Sequence, residues 1–296
     1  MLMFLDVCGQ KRHATRSPRH RKSNGEQGNW ASGTAPITSA HMQPKTATLT
    51  PARESATALK DLEKQYRTVL PACSYAVIRV DGKGFSRYTK GLERPFDAKF
   101  TRDMQEAALF LCEEIEGAQA AYTQSDEISV IISDLAGQRT QRWFGGQIHK
   151  IVSTSAALAT AKFNRLRPEV EELAVFDGRT HHLDGRDGVL EYLRWRQADA
   201  VRNSVGMLAS HHFSHKELTG VSVPRRKTML AERGAPWEDL SAEVRQGSYV
   251  AREERIRTVS FFHGREGVNK TLQTVGMEFA VKAAPSFEAE MFASWR

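Results

Sequence analysis

The sequence predicts an α+β protein, and three observations carry that reading. Tyr75-Ala76-Val77-Ile78-Arg79-Val80-Asp81 is a nearly unbroken apolar run, as a central strand buried on both faces requires. A polar tip, Tyr122-Thr123-Gln124-Ser125-Asp126-Glu127, leads straight into β-branched Ile128 to Ile132. Helical stretches with one apolar stripe each lie between such strands, so that neither an all-α nor an all-β class fits.

Residues 1 to 48 read as a disordered basic extension, rich in Ser, Thr, Gly, Arg and His, with Met42 as an alternative start. Thr50-Pro51 opens a helix through Tyr66, with Pro in the first turn and Leu59, Leu62 and Tyr66 at helical spacing. Pro71 ends the connection to the Tyr75 to Asp81 strand, and Gly82-Lys83-Gly84 forms a turn. Asp97 can cap the next helix, whose stripe is Met104, Ala107, Ala108, Leu111 and Ile115, with Gly117 as its stop. The acidic tip then reads as the turn of a hairpin.

From about Gln141 a second helix places Ile148, Ile151, Val152, Ser155, Leu158, Ala159 and Lys162 on one face. The next strand is expected over Leu173 to Phe176, ending in Asp177-Gly178-Arg179. That order is the split β-α-β arrangement of a ferredoxin-like or polymerase-palm core, here over residues 49 to 185. Residues 186 to 296 add a long helix from Asp187 to Ser210, with Trp195 expected in the core. Short helices at Arg226 to Glu232 and Trp237 to Leu240, and a strand-like Ser248 to Phe262, follow. The stretch from Glu266 to Arg296 is poorly patterned. This C-terminal region is expected to complete the catalytic unit and to contact RNA.

Composition narrows the class of function. Of 296 residues, 40% are hydrophobic, enough for a core, and no run approaches a membrane span. The three cysteines are unevenly spread with no C-x-x-C pair, which argues against a disulfide framework or zinc and makes a reducing cytoplasm the expected compartment. Net charge is +7, with basic clusters at Lys11 to Lys22, Arg225-Arg226-Lys227 and Arg252 to Arg257. A phosphate-rich partner suits that distribution better than an acidic small molecule.

If the two acidic strands are neighbours, Asp81 and Asp126 meet at one sheet edge. Two carboxylates beside flexible glycine backbone suit hard divalent cations and a triphosphate. Successive strand residues face opposite ways, so Asp126 and Glu127 cannot both reach one ion unless the backbone turns there. Asp126 is taken as the ligand and Glu127 as its support or a water holder. Gly82-Lys83-Gly84 lacks the lysine and Ser/Thr of a P-loop, and its use would be open backbone N–H groups for phosphate oxygens. His211 and His215 stand four apart without the acid of a zinc-binding helix, and read as RNA contacts or surface histidines.

These residues resemble the tRNA(His) guanylyltransferase family and its relatives that add nucleotides in the 3′-to-5′ direction. The matching pieces, in family order, are Arg79-Val80-Asp81-Gly82-Lys83-Gly84-Phe85, Arg94-Pro95-Phe96-Asp97, Ala121 to Ser129, Lys150-Ile151-Val152-Ser153, Phe176-Asp177-Gly178-Arg179 and Trp195-Arg196-Gln197-Ala198-Asp199. The resemblance implies two Mg²⁺ held by Asp81, the carbonyl of Gly82 and Asp126, with Glu127 among the catalytic acids. It implies nucleotide contacts from Lys83, Gly84, Phe85, Ser125, Lys150 and Arg179. Asp97 matches a position tied to activation of the RNA 5′ end, and Arg94 replaces a lysine common there. The implied partners are tRNA, ATP and GTP or other NTPs, and a second copy in a dimer or tetramer; no membrane is implied.

One departure bears on specificity. Where tRNA(His)-specific members carry His-Ile-Asn-Asn, this chain has Val201-Arg202-Asn203-Ser204, and only Asn203 matches. That favours a templated RNA-repair relative, with RNA held by Asn203, Arg225, Arg226 and Lys227. Palm domains with a strand-borne acidic pair also serve nucleotide cyclases, which need no RNA, and a non-catalytic RNA-binding protein is a third reading. The intact Asp81 and Asp126 and the basic C-terminal half favour nucleotidyl transfer to RNA over both.

Overall fold

The computed structural model describes residues 52–137, 140–263 and 268–295. The expected disordered extension and its basic cluster at Lys11 to Lys22 lie outside the described residues. The described residues fall into two units, which divide between Tyr66 and Arg67. In the first, α1 (Ala52–Gln65) follows Pro51, and Lys64 pairs with Asp61 one turn earlier at 2.8 Å.

The second unit is built on one sheet. Its β1 (Tyr75–Gly82) runs into a single turn of helix, α2 (Phe85–Tyr88), and then α3 (Ala98–Glu114). Asp97 caps α3 by accepting the Phe100 N–H at 2.7 Å. A hairpin, β2 (Ala118–Gln124) and β3 (Glu127–Ser133), leads to α4 (Ile148–Leu166) and β4 (Phe176–Leu183). These four strands lie in the order β4-β1-β3-β2, all antiparallel, which is the predicted split β-α-β arrangement.

Both faces of the central strands are covered, which is why β1 and β3 read as continuous apolar runs. Ile78, Val80, Ile128, Val130 and Ile132 face α3 and α4, meeting Met104, Ala108, Leu111, Ile151 and Phe163. Val77, Tyr122 and Ile131 face the opposite way, onto Val189, Tyr192 and Leu193 of the long α5 (Gly185–His212). The far half of α5 buries Val205, Leu208 and Ala209 against α6 (His215–Leu218), α7 (Val223–Glu232) and Trp237. After α8 (Ala242–Gln246), β5 (Ser248–His263) pairs with β2 over Ser248 to Ala251, and β6 (Val268–Ala283) pairs with β5 along its full length.

Four expectations are corrected. The second helix begins at Ile148 rather than near Gln141, because Phe144, Gly145 and Gly146 occupy the left-handed region (φ 52°, 60° and 77°) and turn the chain before it. The last strand of the core starts at Phe176 and runs through Asp177-Gly178-Arg179 instead of stopping there. Before it, Asn164 of α4 exchanges two hydrogen bonds with the Ala174 backbone (2.8 and 2.9 Å), and the Thr160 hydroxyl accepts the Phe176 N–H at 3.1 Å. An edge strand tolerates the polar Asp-Gly-Arg-Thr-His-His sequence that hid it. The poorly patterned C-terminal stretch contains β6, whose distal apolar residues Leu272 and Val275 are exposed, so no buried face imposed alternation on it. Trp195 is 50% exposed rather than core. Among the described residues no helix is long and apolar enough to cross a membrane.

Candidate active site

The site forms where β1, β3 and β4 end side by side. Asp81 stands opposite Glu127 of β3 on one side and Asp177 of β4 on the other, which puts three carboxylates in a row. Like charges directly opposite each other oppose pairing, so this row needs cations. Arg179 supplies one, 3.1 Å from Asp177 and 3.6 Å from Asp81. Arg196 of α5 supplies another, gripping both oxygens of Glu127 at 2.7 and 2.6 Å.

Asp126 completes the edge from the hairpin turn. Ser125 and Asp126 are the two residues between β2 and β3, and Ser125 sits in the left-handed region at φ 51°. The backbone therefore turns at Asp126, and strand alternation does not separate it from Asp81. The Gly82 N–H donates to the Asp126 carbonyl at 3.1 Å, tying the end of β1 to the turn. The Asp126 carboxylate accepts from the Ser125 hydroxyl at 3.1 Å and from its own backbone N–H, and no cation pairs with it among the described residues. Burial raises its carboxyl above the usual carboxylate range, and the neighbouring Asp81 charge raises it further.

Gly82 is where the chain turns away from the sheet. A Cβ there would stand 2.4 Å from the Phe85 ring, so only glycine lets Phe85 fold back into the aromatic cluster with Phe100, Phe163 and Phe176. Gly84 follows at φ 70°. The Lys83 N–H is bonded to the Val175 carbonyl at 2.8 Å, so the N–H groups left for a ligand in this turn are those of Gly84 and Phe85. The Lys83 side chain is exposed.

A cavity of about 140 Å³ opens beside the turn, lined by Arg94, Asp97, Thr123, Ser125, Asn203 and Ser248. It adjoins an open groove of about 590 Å³ that shares Arg94, Ser125 and Asn203 and adds Arg202, His211 and Arg226. Asp97 lines the cavity while its carboxylate accepts the Phe100 and Glu93 N–H groups at 2.7 and 3.2 Å. Burial pushes its pKa up, but these N–H donors, together with the Lys99 N–H and the Arg167 charge, hold it below the usual carboxylate value.

The structure thus brings Asp81, Gly82, Asp126, Glu127 and Arg179 together, and gathers Asp97, Ser125 and Asn203 at the adjoining cavity. Lys150 stands on the first turn of α4, its ammonium 6.0 Å from the Phe144 ring centroid. The three basic residues of α7 part company. Arg226 lines the groove while its guanidinium holds the Val221 and Leu218 carbonyls at 3.1 and 3.2 Å. Arg225 pairs with Glu232 at 3.3 Å, and Lys227 lies 3.3 Å from the Trp237 ring centroid.

Two residues of the site escape a reading of the sequence. Asp177 was taken as a strand end, and only register places it opposite Asp81. Arg196 sits inside a recognised motif, but nothing in its spacing says that it reaches across to Glu127.

An antiparallel sheet with acidic residues at neighbouring strand ends, beside a basic groove, fits the class of enzymes that work on phosphates. Comparison with known proteins narrows it. The family model for tRNAHis guanylyltransferase matches residues 56–184. A bacterial tRNA(His) guanylyltransferase-like protein solved in complex with ATP aligns at 37% identity and a TM-score of 0.65, over 67% of this chain and 89% of that one. One solved in complex with GTP aligns at 31% identity and a TM-score of 0.65, over 79% and 93% of the two chains. The tRNA(His) guanylyltransferase of Debaryomyces hansenii is 26% identical over 201 residues, 61% of this chain and 74% of its own length. The chain belongs to the tRNA(His) guanylyltransferase family, whose members are nucleotidyltransferases.

Proposed function

We propose that the chain adds nucleotides to the 5′ end of tRNA in the 3′-to-5′ direction, after ATP-dependent activation of that end. The observation that carries this reading is the acid edge, where Asp81 and Asp126 lie together and Asp126 has no cationic partner among the described residues. Carboxylate and carbonyl oxygens without sulfur or imidazole suit hard cations, so Asp81, the Gly82 carbonyl and Asp126 would hold two Mg²⁺. When bound, such a pair lowers the pKa of an attacking hydroxyl and offsets charge on the leaving oxygens. The ATP and GTP found in the two bacterial relatives agree with a triphosphate ligand here.

The chain's own groups have separate tasks. Arg179, beside Asp81, would meet the triphosphate together with Lys83, Lys150, the Ser125 hydroxyl and the N–H groups of Gly84 and Phe85. Asp97 would orient the RNA 5′ phosphate in the adjoining cavity. A 5′-phosphate oxygen of the RNA attacks the α-phosphorus of ATP, forming a phosphoanhydride and releasing pyrophosphate. The 3′-hydroxyl of an incoming NTP then attacks the RNA phosphorus, loses its proton, and displaces AMP. The groove lined by Arg94, Arg202, His211 and Arg226 would take the phosphates of the RNA strand.

Specificity follows from the segment that replaces His-Ile-Asn-Asn. Val201 packs against the apolar cluster of Leu208, Leu230 and Trp237, where it offers no hydrogen bond and no ring to stack on a base. Asn203 alone in this segment lines both cavity and groove with a side-chain amide. Base pairing against the opposite RNA strand is left to select the nucleotide, so the chain should restore missing 5′ bases in tRNAs of several identities. The test is a competition between a 5′-truncated tRNA and full-length tRNA(His), both 5′-phosphorylated, scored by nucleotide incorporated. Much faster guanylate addition to tRNA(His) would refute templated repair. Turnover of labelled NTP without any RNA would point to a cyclase instead.

A further inference from the structure

The Glu127–Arg196 pair is the most deeply buried ionic contact near the site, both side chains being 8% exposed. Burial raises the Glu127 carboxyl, and the two-point grip of Arg196 pulls it back. Arg196 is itself fixed from behind. Its Nη2 also donates to Asp199 at 2.9 Å, and Asp199 is held by Arg202 at 2.6 Å. Trp195 lies beside the Arg196 guanidinium, 4.5 Å from ring centroid to charge. On the strand, the Ser129 hydroxyl bonds to the Tyr192 hydroxyl at 2.8 Å, which pins β3 to α5 one residue pair further along.

This assembly abuts the turn that carries Asp126. The turn has no glycine, its first residue is in the left-handed region, and its carboxylate has no cation of its own. Both Glu127 oxygens accept from Arg196, which holds that carboxylate toward α5. We propose that Arg196 is a positioning residue: by clamping Glu127 it fixes the adjacent Asp126 for a divalent cation. The inference rests on the metal-site reading above. It assigns to Arg196 a task that a purely structural ion pair would not have, because an apolar pair of similar volume could also hold β3 against α5.

Two variants of the full chain keep the net charge of the site, so that a change in metal affinity reports position rather than field. Arg196→Lys retains the charge but loses the planar fork. The double variant Glu127→Met with Arg196→Met removes one charge of each sign and fills the space with apolar side chains. Mn²⁺ binding is read by the electron paramagnetic resonance of the free ion, without turnover, and thermal melting is followed in parallel. The double variant should melt close to the wild type yet bind Mn²⁺ about 10–100-fold more weakly, as loss of a residue that orients a metal ligand does elsewhere. Arg196→Lys should fall between the two. If the wild type binds Mn²⁺ and both variants match it within about threefold, the clamp is refuted while the metal site stands. If the wild type itself binds no Mn²⁺, the metal-site reading falls and the clamp falls with it.

Discussion

Asp126→Asn separates the two things that Asp126 does, because they pull in opposite directions. The substitution keeps the side-chain shape and the Ser125 contact at 3.1 Å, and removes a charge that burial and Asp81 both disfavour. In the metal-free protein it should therefore be neutral or stabilising, by no more than about 1 kcal/mol because the turn is partly open to solvent. On the proposed mechanism it also removes a metal ligand. Metal ions supply several kcal/mol of charge stabilisation, and at about 1.4 kcal/mol per factor of ten a loss of roughly 4 kcal/mol slows nucleotide addition about 10³-fold.

The pH dependence of the stability effect has a defined sign. Asp126 has a folded-state pKa above its unfolded value, so its protonated form favours folding and that contribution is lost as pH rises through the folded pKa. Melting in chelator should show variant and wild type alike at pH below the carboxylate range, with the variant ahead once Asp126 ionises. Added Mg²⁺ should then raise the wild-type melting temperature and leave the variant behind. A variant that turns over within tenfold of the wild type would refute the assignment. So would one that melts far below it in chelator at neutral pH, since Asp126 would then be a structural residue.

Two further outcomes follow from contacts away from the metal edge. At the opposite end of β1, the Asp134 carboxylate accepts from the Cys73 and Ser74 N–H groups at 3.0 and 2.9 Å and from Arg142 at 2.8 Å. Burial alone would raise Asp134, but Arg142 and these N–H groups hold it lower, so its stabilisation is present above the usual carboxylate pKa and lost as pH falls through the folded value. Asp134→Ala should cost about 3–5 kcal/mol in chemical denaturation, because it strands a buried guanidinium. In the groove, Arg94→Ala, Arg202→Ala and Arg226→Ala should each weaken RNA binding and flatten its salt dependence by about one phosphate contact. Arg225→Ala, removed from the groove and paired with Glu232, should leave both unchanged in a salt-titrated binding assay.

What could be read from the sequence was what burial imposes on it. The β1 and β3 runs, the Asp97 cap and the stripe of α3 are each forced by a covered face or an unsatisfied helix end, and each appears where expected. The acid edge was legible for the same reason, since Asp81 and the Ser125-Asp126 turn abut strands that could hardly be anything else. The polar edge strand β4 and the exposed part of β6 lacked that constraint. No covered face disciplined their side chains, so their pattern carried no period, and the start of β4 was set by Thr160 and Asn164 on another element.

The long helix α5 shows the limit more sharply, because it serves several surroundings at once. Val189 and Leu193 are buried against the sheet, Arg196 is buried in charge, Asn203 lines the groove, and Leu208 packs on α7. A helix with one partner advertises it as a stripe; one with several mixes their signals. Trp195 was expected inside, as an aromatic on a long helix, although its indole lies at the surface beside two guanidinium groups. Arg196 lay inside a matched motif, whose spacing says nothing of its contact. Its meaning depends on Glu127, which is 69 residues away and comes within reach only once β3 and α5 are packed together. The acids of such an edge can be found from local pattern, but the buried ion pair beside them belongs to the tertiary structure.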